Sequence, residues 1–381
     1  MPAIPYIKKK INHSYLIWFQ NSNLYLQLEE PAWFVLRKTV QRFKIKTIAN
    51  KFSARYGISE EESLQFVKDI RVEIEKVNQT NHNPNITSHF PNELSTHQFV
   101  PYSTHNYKLG DKQIAFSYES QTFEHYLHPL ISHFETTADS SAIPLFELFS
   151  FQDRIVFRFN SEVKGTWTKD ETHLVKGLIF MHLINVMHEK TDADWLMTVH
   201  ASAITDGTKT ILFSAAPGNG KTTMAALLQT LGYQLISDDF VPIDRYSFCA
   251  YPFPIAMSVK QGSMDLLSSL FPALEQQALN YISPEKSVRY LPGNLNPDHA
   301  RAIFPVHEFI FIEYNPSVDF RFEKLNPINA IKRLLDQAWV APSRSNAAIL
   351  FDQITNRSFY QLTYSNNQKA LDAITKLFEH N

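Results

Sequence analysis

One stretch of the sequence restricts the possible fold more than any other. Residues Thr208–Ser214 have the pattern of a buried β-strand, a glycine-containing loop follows from Ala215, and Lys221 opens a helix rich in Ala and Leu. The loop ends in Gly-Lys-Thr, as does the phosphate-binding motif G-x-x-x-x-G-K-[ST], and it lies between a strand and a helix as that motif requires. The stretch therefore predicts an α/β fold with an anion-binding loop at a strand end.

Each loop position has its own predicted part in this chemistry. Gly218 and Gly220 let backbone N–H groups turn inward, and the helix start adds a positive dipole. Lys221 can reach the β- and γ-phosphates of a nucleotide, and the Thr222 hydroxyl can bind Mg²⁺. The predicted nucleotide-binding residues are Ala216, Pro217, Gly218, Asn219, Gly220, Lys221, Thr222 and Thr223. Ala215 replaces the first glycine of the motif, and the alternative interpretation is a purely structural turn.

Two adjacent carboxylates follow the next predicted strand. That strand, Gln234–Ser237, ends at Asp238 and Asp239, so both side chains are expected at a sheet edge where ligands of α/β proteins bind. One carboxylate can hold a metal ion while the other accepts a proton from a hydroxyl nucleophile. His200, at another strand end, is a candidate to orient that base. The alternatives are a solvated turn for the two carboxylates and a structural role for His200.

Composition excludes several classes of protein. The 36 Lys and Arg residues against 38 Asp and Glu give a net charge of −2, so a global positive field for nucleic acid is missing. Cys249 is the single cysteine, which excludes an internal disulfide and any multi-cysteine metal site. Apolar runs are too short to cross a bilayer. We therefore expect a cytoplasmic protein that binds neither nucleic acid nor membrane.

The chain is long enough for two to three domains, at about 150 residues per domain. The N-terminal part predicts a hairpin of Ser14–Phe19 and Leu24–Leu28, and then three helices that begin near Pro31, Thr47 and Ser59. Residues rich in Asn, His, Ser, Thr and Pro follow and predict a linker. The predicted boundaries are 1–80 for the first domain, 81–110 for the linker, 111–195 for a β-rich lead-in, and 196–381 for the catalytic domain.

The histidine, the loop and the paired carboxylates together resemble the HPr kinase/phosphorylase superfamily. The last element stands here as Gly232-Tyr-Gln-Leu-Ile-Ser-Asp238-Asp239, and Lys221 lies 21 residues after His200 and 17 before Asp238. The resemblance implies that Asp238 is the catalytic base, that His200 supports it, and that Lys221, Thr222 and Asp239 hold ATP and Mg²⁺. It implies an α/β P-loop kinase core like the C-terminal domain of HPr kinase.

Two departures place the chain nearer to one branch of that resemblance. Thr223 stands where the family's loop has Glu, and the family's later Arg-Gly-Leu-Gly signature is absent. The sequence is more similar to the HPr-kinase-related proteins that accompany peptide-modification systems, so HPr itself is not the expected substrate. In such proteins Lys260 or Arg289 could contact phosphates, and the role of Lys286 stays open.

The N-terminal domain resembles PqqD-like recognition domains, an α+β winged-helix fold that binds ribosomally made peptides. In that family a leader peptide adds a strand to the sheet edge beside the third helix. The residues that the resemblance places in this role are Leu24, Tyr25, Leu26, Leu64, Val67 and Arg71. A generic winged helix for DNA or subunit contact is the alternative.

Together the two resemblances predict an ATP- and Mg²⁺-dependent kinase. Its expected acceptor is a Ser or Thr hydroxyl of a precursor peptide, which is recruited through its leader by an N-terminal domain that folds on its own. A small-molecule kinase and a non-catalytic nucleotide-dependent peptide-binding protein are the alternatives. A homo-oligomer is possible in each case.

Overall fold

The computed structural model describes residues 3–79, 92–137, 143–283 and 286–379. The strands are β1 Tyr6–Ile11, β2 Ser14–Phe19, β3 Leu24–Glu29, β4 Ser103–Leu109, β5 Lys112–Tyr118, β6 Leu145–Phe151, β7 Arg154–Phe159, β8 Glu162–Trp167, β9 Trp195–Val199, β10 Ser202–Thr205, β11 Thr210–Ser214, β12 Gln234–Ser237, β13 Val241–Asp244, β14 Cys249–Ala250, β15 Met257–Lys260, β16 Asn280–Ser283, β17 Lys286–Leu291, β18 Phe304–Tyr314, β19 Phe320–Lys324, β20 Ala338–Val340 and β21 Ser358–Tyr364.

The α-helices follow the same chain order. They are α1 Glu30–Val40, α2 Ile45–Tyr56, α3 Glu60–Gln79, α4 Asn92–Thr96, α5 Gln121–Ile131, α6 Thr172–His188, α7 Lys221–Thr230, α8 Gln261–Leu270, α9 Ala273–Gln276, α10 Pro327–Leu335, α11 Arg344–Ile354 and α12 Asn367–Glu379. None of these helices, in the described part of the chain, is long and apolar enough to cross a membrane.

The chain forms two compact units that differ from the predicted domains. The first unit consists of Met1–Asn85 and Leu325–Phe359, and the second of Ile86–Lys324 and Tyr360–Asn381. Residues 325–359 therefore belong with the N-terminal residues, although the sequence places them inside a continuous domain of 196–381. The predicted linker of 81–110 also needs correction, because α4 and β4 lie within it. Its residues 81–91 lie outside the described part.

The first unit contains the predicted hairpin and its three helices. β2 pairs antiparallel with β3 as expected. β1, which the sequence pattern did not predict, pairs with the other edge of β2. Ser59 and Glu62 form the reciprocal hydrogen bonds of a capping box at the start of α3. Gly57 ends α2 with a φ of 70°, a left-handed conformation that glycine adopts without strain. This unit is α+β, and its winged-helix assignment stays a prediction.

Both faces of this three-stranded sheet are covered. On one face Ile17 and Phe19 pack with Trp33 of α1 and Ile74 of α3. On the other face α10 contacts β3 and α11 contacts β1, and the ring of Tyr25 lies 5.9 Å from that of Phe351. Every residue of β2 is consequently buried. Segment 325–359 thus supplies a second layer for the N-terminal sheet.

This second layer determines which fragment can fold. Residues 1–80 alone would expose Leu16 and Trp18, which are 2% and 1% exposed in the whole chain, at a cost of about 1.5–3 kcal/mol for each such side chain. We expect this fragment to lack a cooperative thermal transition by circular dichroism. Residues 1–85 joined to 325–359 by a Gly/Ser linker should show one. A sharp transition of the shorter fragment would contradict the two-layer arrangement.

The described residues of the second unit form three sheets. In the largest, β12, β10, β11, β18, β14, β13 and β9 are neighbours in that order, and β21 and β19 continue from β18. β11 and β18 run parallel, whereas β10 is antiparallel to both β11 and β12. Strands β15, β17 and β16 form a small antiparallel sheet. Strands β4 to β8 form a five-stranded sheet in chain order. The α/β class predicted for this region is therefore found, with mixed strand directions.

A histidine clamped by two carboxylates joins β4 to α5 in this unit. The Nδ1 and Nε2 atoms of His105 each lie 2.6 Å from a carboxylate oxygen, of Glu135 and Glu124 respectively. Burial lowers the pKa of His105, but the hydrogen bonds to Glu135 and Glu124 outweigh it and raise that pKa above its usual 6.5. The neighbouring ring of His128 stacks on His105, and burial together with the His105 charge lowers the pKa of His128.

The cluster predicts a pH-dependent stability. The pKa of His105 is raised in the folded state, so protonated His105 contributes to the free energy of unfolding. This contribution is fully present below the unfolded pKa of about 6.5 and is lost as pH rises through the folded pKa. Urea denaturation should therefore show that His105→Gln costs roughly 1 kcal/mol more at pH 6 than at pH 9. An equal loss of unfolding free energy at both pH values would show that the charged form of His105 does not stabilise the fold.

Candidate active site

The glycine-containing loop follows β11 and leads directly into α7. All five residues of β11 are buried, whereas Ala216, Pro217 and Gly218 are exposed. Gly218 and Gly220 have φ values of 90° and 87°, a region in which side chains cause strain. Ala215 is not among the described residues with positive φ, which explains why an alanine is tolerated at the motif's first position. The first N–H groups of α7 have no acceptor within the helix.

Lys221 joins the loop to the paired carboxylates. Its Nζ donates to Asp238 Oδ1 at 3.0 Å and also to Asp239 Oδ1. Its side chain is 8% exposed. Burial lowers the pKa of Lys221, but the charges of Asp238 and Asp239 outweigh burial and raise that pKa above its usual value. The ammonium group is therefore positively charged and lies where the loop meets the end of β12.

The two carboxylates and His200 lie in a break of one antiparallel ladder. On one side of the break Val199 is opposite Val241, and on the other side Ala203 is opposite Ser237. Ser202 and Asp238 both fall between these two paired segments. The Ser202 hydroxyl donates to Asp238 Oδ1. The residues between the two paired segments are not part of either ladder, and their side chains form the site.

The carboxylates of Asp238 and Asp239 have different surroundings. Asp238 is 1% exposed, and besides Ser202 and Lys221 it accepts a hydrogen bond from Thr222 Oγ1 at its Oδ2, over 3.0 Å. Asp239 has a side chain that is 42% exposed, and its φ of 65° is unusual for a residue other than glycine. Asp238 is therefore fixed by three neighbours, whereas Asp239 is accessible to a ligand.

Asp239 also lies beside His200. The His200 Nδ1 is 3.1 Å from the Asp239 backbone oxygen, and its Nε2 is 3.8 Å from Asp239 Oδ1. Burial raises the pKa of the Asp239 carboxyl, but the charges of Lys221 and then His200 outweigh it and hold that pKa at about 2. Asp239 is consequently a carboxylate at neutral pH and can accept a proton once its cationic neighbours turn to another anion.

The site has the oxygen donors that Mg²⁺ prefers. The Thr222 hydroxyl and the Asp238 carboxylate are hydrogen-bonded neighbours, and both are hard oxygen ligands. Mg²⁺ is usually held in phosphate-binding sites by one or two such groups together with substrate phosphates. The residues present therefore fit the predicted cofactor.

The structure brings together the predicted residues of the second unit. His200, Lys221, Thr222, Asp238 and Asp239 are joined by direct contacts. Ser202 was missed, and its place two residues after His200 is the one signal in the sequence that could have found it. Arg289 lies opposite Val259 and donates to the Leu274 backbone.

The predicted peptide-binding residues of the first unit lie on β3 and α3. Leu24, Tyr25, Leu26 and Leu64 are partly buried, and Arg71 forms an ion pair with Glu75 on its own helix. Val67 is completely buried among the helices, so its side chain is not available to a peptide. β3 is an outer strand of its sheet. The addition of a peptide strand at its outer edge therefore stays a prediction.

Comparison with known proteins gives little support of its own. No protein-family model matches the chain, and no curated protein matches it. Among solved structures, the HPr(Ser) kinase/phosphatase from Coxiella burnetii is similar over 48% of this chain and 88% of its own. The identity is 12% and the TM-score 0.21. This similarity is weak, and the chemistry of the site follows from its own residues.

Proposed function

We propose that the second unit is a nucleotide-dependent phosphotransferase. The observation that carries the proposal is the direct contact of Lys221 and Thr222, at the end of a glycine loop, with the Asp238 and Asp239 carboxylates. Phosphate binding by the loop needs only Lys221 and Thr222. A carboxylate pair in contact with them adds a metal ligand and a proton acceptor, which are the groups that phosphoryl transfer requires.

The proposed reaction transfers the γ-phosphoryl group of ATP to a hydroxyl group. The acceptor oxygen forms the new bond to phosphorus, the bond to the ADP oxygen breaks, and the acceptor proton passes to a carboxylate. Lys221 and the N–H groups of the loop bind the β- and γ-phosphates. Thr222 and Asp238 would hold Mg²⁺, and the bound ion would supply charge neutralisation at the phosphate oxygens.

We assign the proton acceptor to Asp239 and the metal ligand to Asp238, the reverse of the roles that the sequence resemblance implies. The Asp239 side chain is partly exposed and lies beside His200, whereas Asp238 is buried and bonded to the Thr222 hydroxyl. A base must reach the acceptor hydroxyl, and a metal ligand must lie beside the hydroxyl that shares the metal. When Lys221 turns to the phosphates, the pKa of Asp239 should rise towards its usual range.

We further propose that the acceptor is a Ser or Thr hydroxyl of a peptide recruited by the first unit. The outer edge of β3 supports this, because no strand of the described residues pairs with it and such an edge offers main-chain hydrogen bonds to an extended peptide. Tethering a peptide to the same chain raises its effective concentration at the site to the order of mM for a short flexible connection.

Radiolabelled transfer tests the proposal. The full chain is incubated with Mg²⁺, ATP labelled at the γ-phosphate, and a library of Ser- and Thr-containing peptides. Labelled peptide, with none formed by Lys221→Met, is the expected result. Label in a small molecule added as an alternative acceptor would make the protein a small-molecule kinase. Absence of both Mg·ATP binding and transfer would overturn the proposal.

A further inference from the structure

An exposed aromatic side chain lies directly beside the glycine loop. Tyr314 is the last residue of β18, which runs parallel to β11 and is its neighbour in the sheet. The backbone N–H of Tyr314 donates to the carbonyl oxygen of Asn219 in the loop, over 3.3 Å. A Cβ atom placed on Gly220 would lie 3.5 Å from the Cβ atom of Tyr314. The Tyr314 side chain therefore begins at contact distance from the second half of the loop.

A neighbouring strand fixes the position of Tyr314. Tyr364 ends β21, and its backbone oxygen accepts a hydrogen bond from the N–H of Asn315 over 2.9 Å. The buried Tyr364 ring packs edge-on against the Tyr314 ring, with 5.7 Å between the centroids and 84° between the planes. The carboxyl ends of β11, β18 and β21 thus meet at one edge of the sheet, which is where ligands of open α/β sheets bind.

Tyr314 stays accessible despite these contacts. It is 46% exposed, whereas Tyr364 is 1% exposed. A single exposed tyrosine is common on protein surfaces, so the place of this one beside the loop is what distinguishes it. An aromatic ring that is held in one orientation and open to solvent can stack on a planar ligand at a small cost in side-chain entropy.

Tyr314 and the two carboxylates lie on opposite sides of the loop. In the sheet, β10 and then β12 lie on one side of β11, and β18 and then β21 lie on the other side. Asp238 and Asp239 follow β12 and contact Lys221 at the end of the loop. Tyr314 follows from β18 and contacts Asn219. The loop therefore has a carboxylate side and an aromatic side.

These two sides give a bound nucleotide a direction. In the proposed reaction the γ-phosphate lies at the carboxylates, and the β-phosphate lies in the loop. The ribose and the base of the same molecule must then extend away from Asp238 and Asp239. The aromatic side of the loop is where the base would leave the phosphate site, and Tyr314 is exposed there.

We propose that Tyr314 stacks on the base of the nucleotide whose phosphates bind the glycine loop. The face of an aromatic ring stacks on any nucleobase, so this contact selects a nucleotide over an inorganic polyphosphate. The inference rests on the proposed phosphotransfer. It adds a base subsite that neither the loop motif nor the carboxylate pair provides.

Two ligands separate the base contact from the phosphate contacts. The full chain is titrated by calorimetry with ATP and with inorganic tripolyphosphate, each in the presence of Mg²⁺. Tyr314→Ala should raise the Kd for ATP about tenfold, as expected when one stacking contact is lost. The same variant should change the Kd for tripolyphosphate less than twofold, because the loop and Lys221 are unaltered. Tyr314→Phe should bind ATP as the unmodified chain does, because it keeps the ring.

Two further variants complete the test. Tyr246→Ala is the matched control, because Tyr246 is 72% exposed in the turn after β13, at the end of that strand away from Asp239. It should leave both Kd values unchanged. Tyr314→Trp places a fluorescent ring at the proposed subsite, and ATP should quench the added fluorescence whereas tripolyphosphate should not. Thermal melts identify a Tyr314→Ala protein that fails to fold, and the fluorescence of Tyr314→Trp then decides.

The inference and the proposed function fail in different ways. An unchanged Kd for ATP in folded Tyr314→Ala, or an equal loss of affinity for ATP and tripolyphosphate, overturns the base subsite and leaves phosphotransfer standing. Equal quenching of Tyr314→Trp by the two ligands also overturns the base subsite. Failure of the unmodified chain to bind either ligand overturns the proposed function itself.

Discussion

Asp239→Asn should reduce phosphoryl transfer by about 10² or more while Mg·ATP still binds. The substitution keeps the size of the side chain and removes its ability to accept a proton. Asp239 is accessible, lies beside His200, and is free to receive a proton once Lys221 binds phosphate. Initial rates of transfer and calorimetric titration with Mg·ATP measure the two effects separately.

Asp238→Asn is the matched control, because it makes the same chemical change at the adjacent residue. Asp238 accepts hydrogen bonds from Lys221, Thr222 and Ser202. Loss of its carboxylate should therefore weaken the Mg²⁺ dependence of nucleotide binding more than it slows the transfer step. Intact Mg²⁺-dependent binding with lost transfer in Asp238→Asn, together with an active Asp239→Asn, would return the base to Asp238. If neither variant alters any activity, the site is not catalytic.

Lys221→Met should weaken Mg·ATP binding by roughly tenfold or more and abolish most transfer. Lys221 is the cation of the loop, and we propose that its charge binds the β- and γ-phosphates. The change also leaves the buried Asp238 without a cationic partner, which costs about 3–5 kcal/mol when a buried pair is broken. Binding is therefore measured at a temperature where circular dichroism shows a folded protein.

Lys209→Met serves as the comparison for this variant. Lys209 pairs with Glu308 at 3.4 Å in the same sheet, away from the loop. Its loss should lower stability without changing Mg·ATP affinity. Normal Mg·ATP binding by folded Lys221→Met would exclude the phosphate-binding assignment of the loop.

The sequence determined the local features of the site. The strand, the loop and α7 follow from a short run of residues, because the left-handed conformations of Gly218 and Gly220 and the start of a helix depend on near neighbours. Asp238 and Asp239 follow β12 as predicted, since a strand end is also a local signal. The capping box of α3 belongs to the same class.

The tertiary structure decided what depends on distant pairing. The broken ladder that brings the Ser202 hydroxyl to Asp238 joins segments more than thirty residues apart, and no local pattern specifies its register. That register is what distinguishes the surroundings of Asp238 from those of Asp239. The sequence resemblance could propose a function for the pair, but the two residues are identical and adjacent, so the proposed division of roles needed the fold.

The same reason explains the difference between the predicted domains and the observed units. Segment 325–359 packs on the N-terminal sheet because β2 is apolar on both faces and needs a second layer, although the chain places the two far apart. Sequence alone determined that this chain has a glycine loop between a strand and a helix and two adjacent carboxylates after the next strand, because those signals are local. Only the tertiary structure decided which charges surround them, because electrostatic neighbours are set by packing between elements.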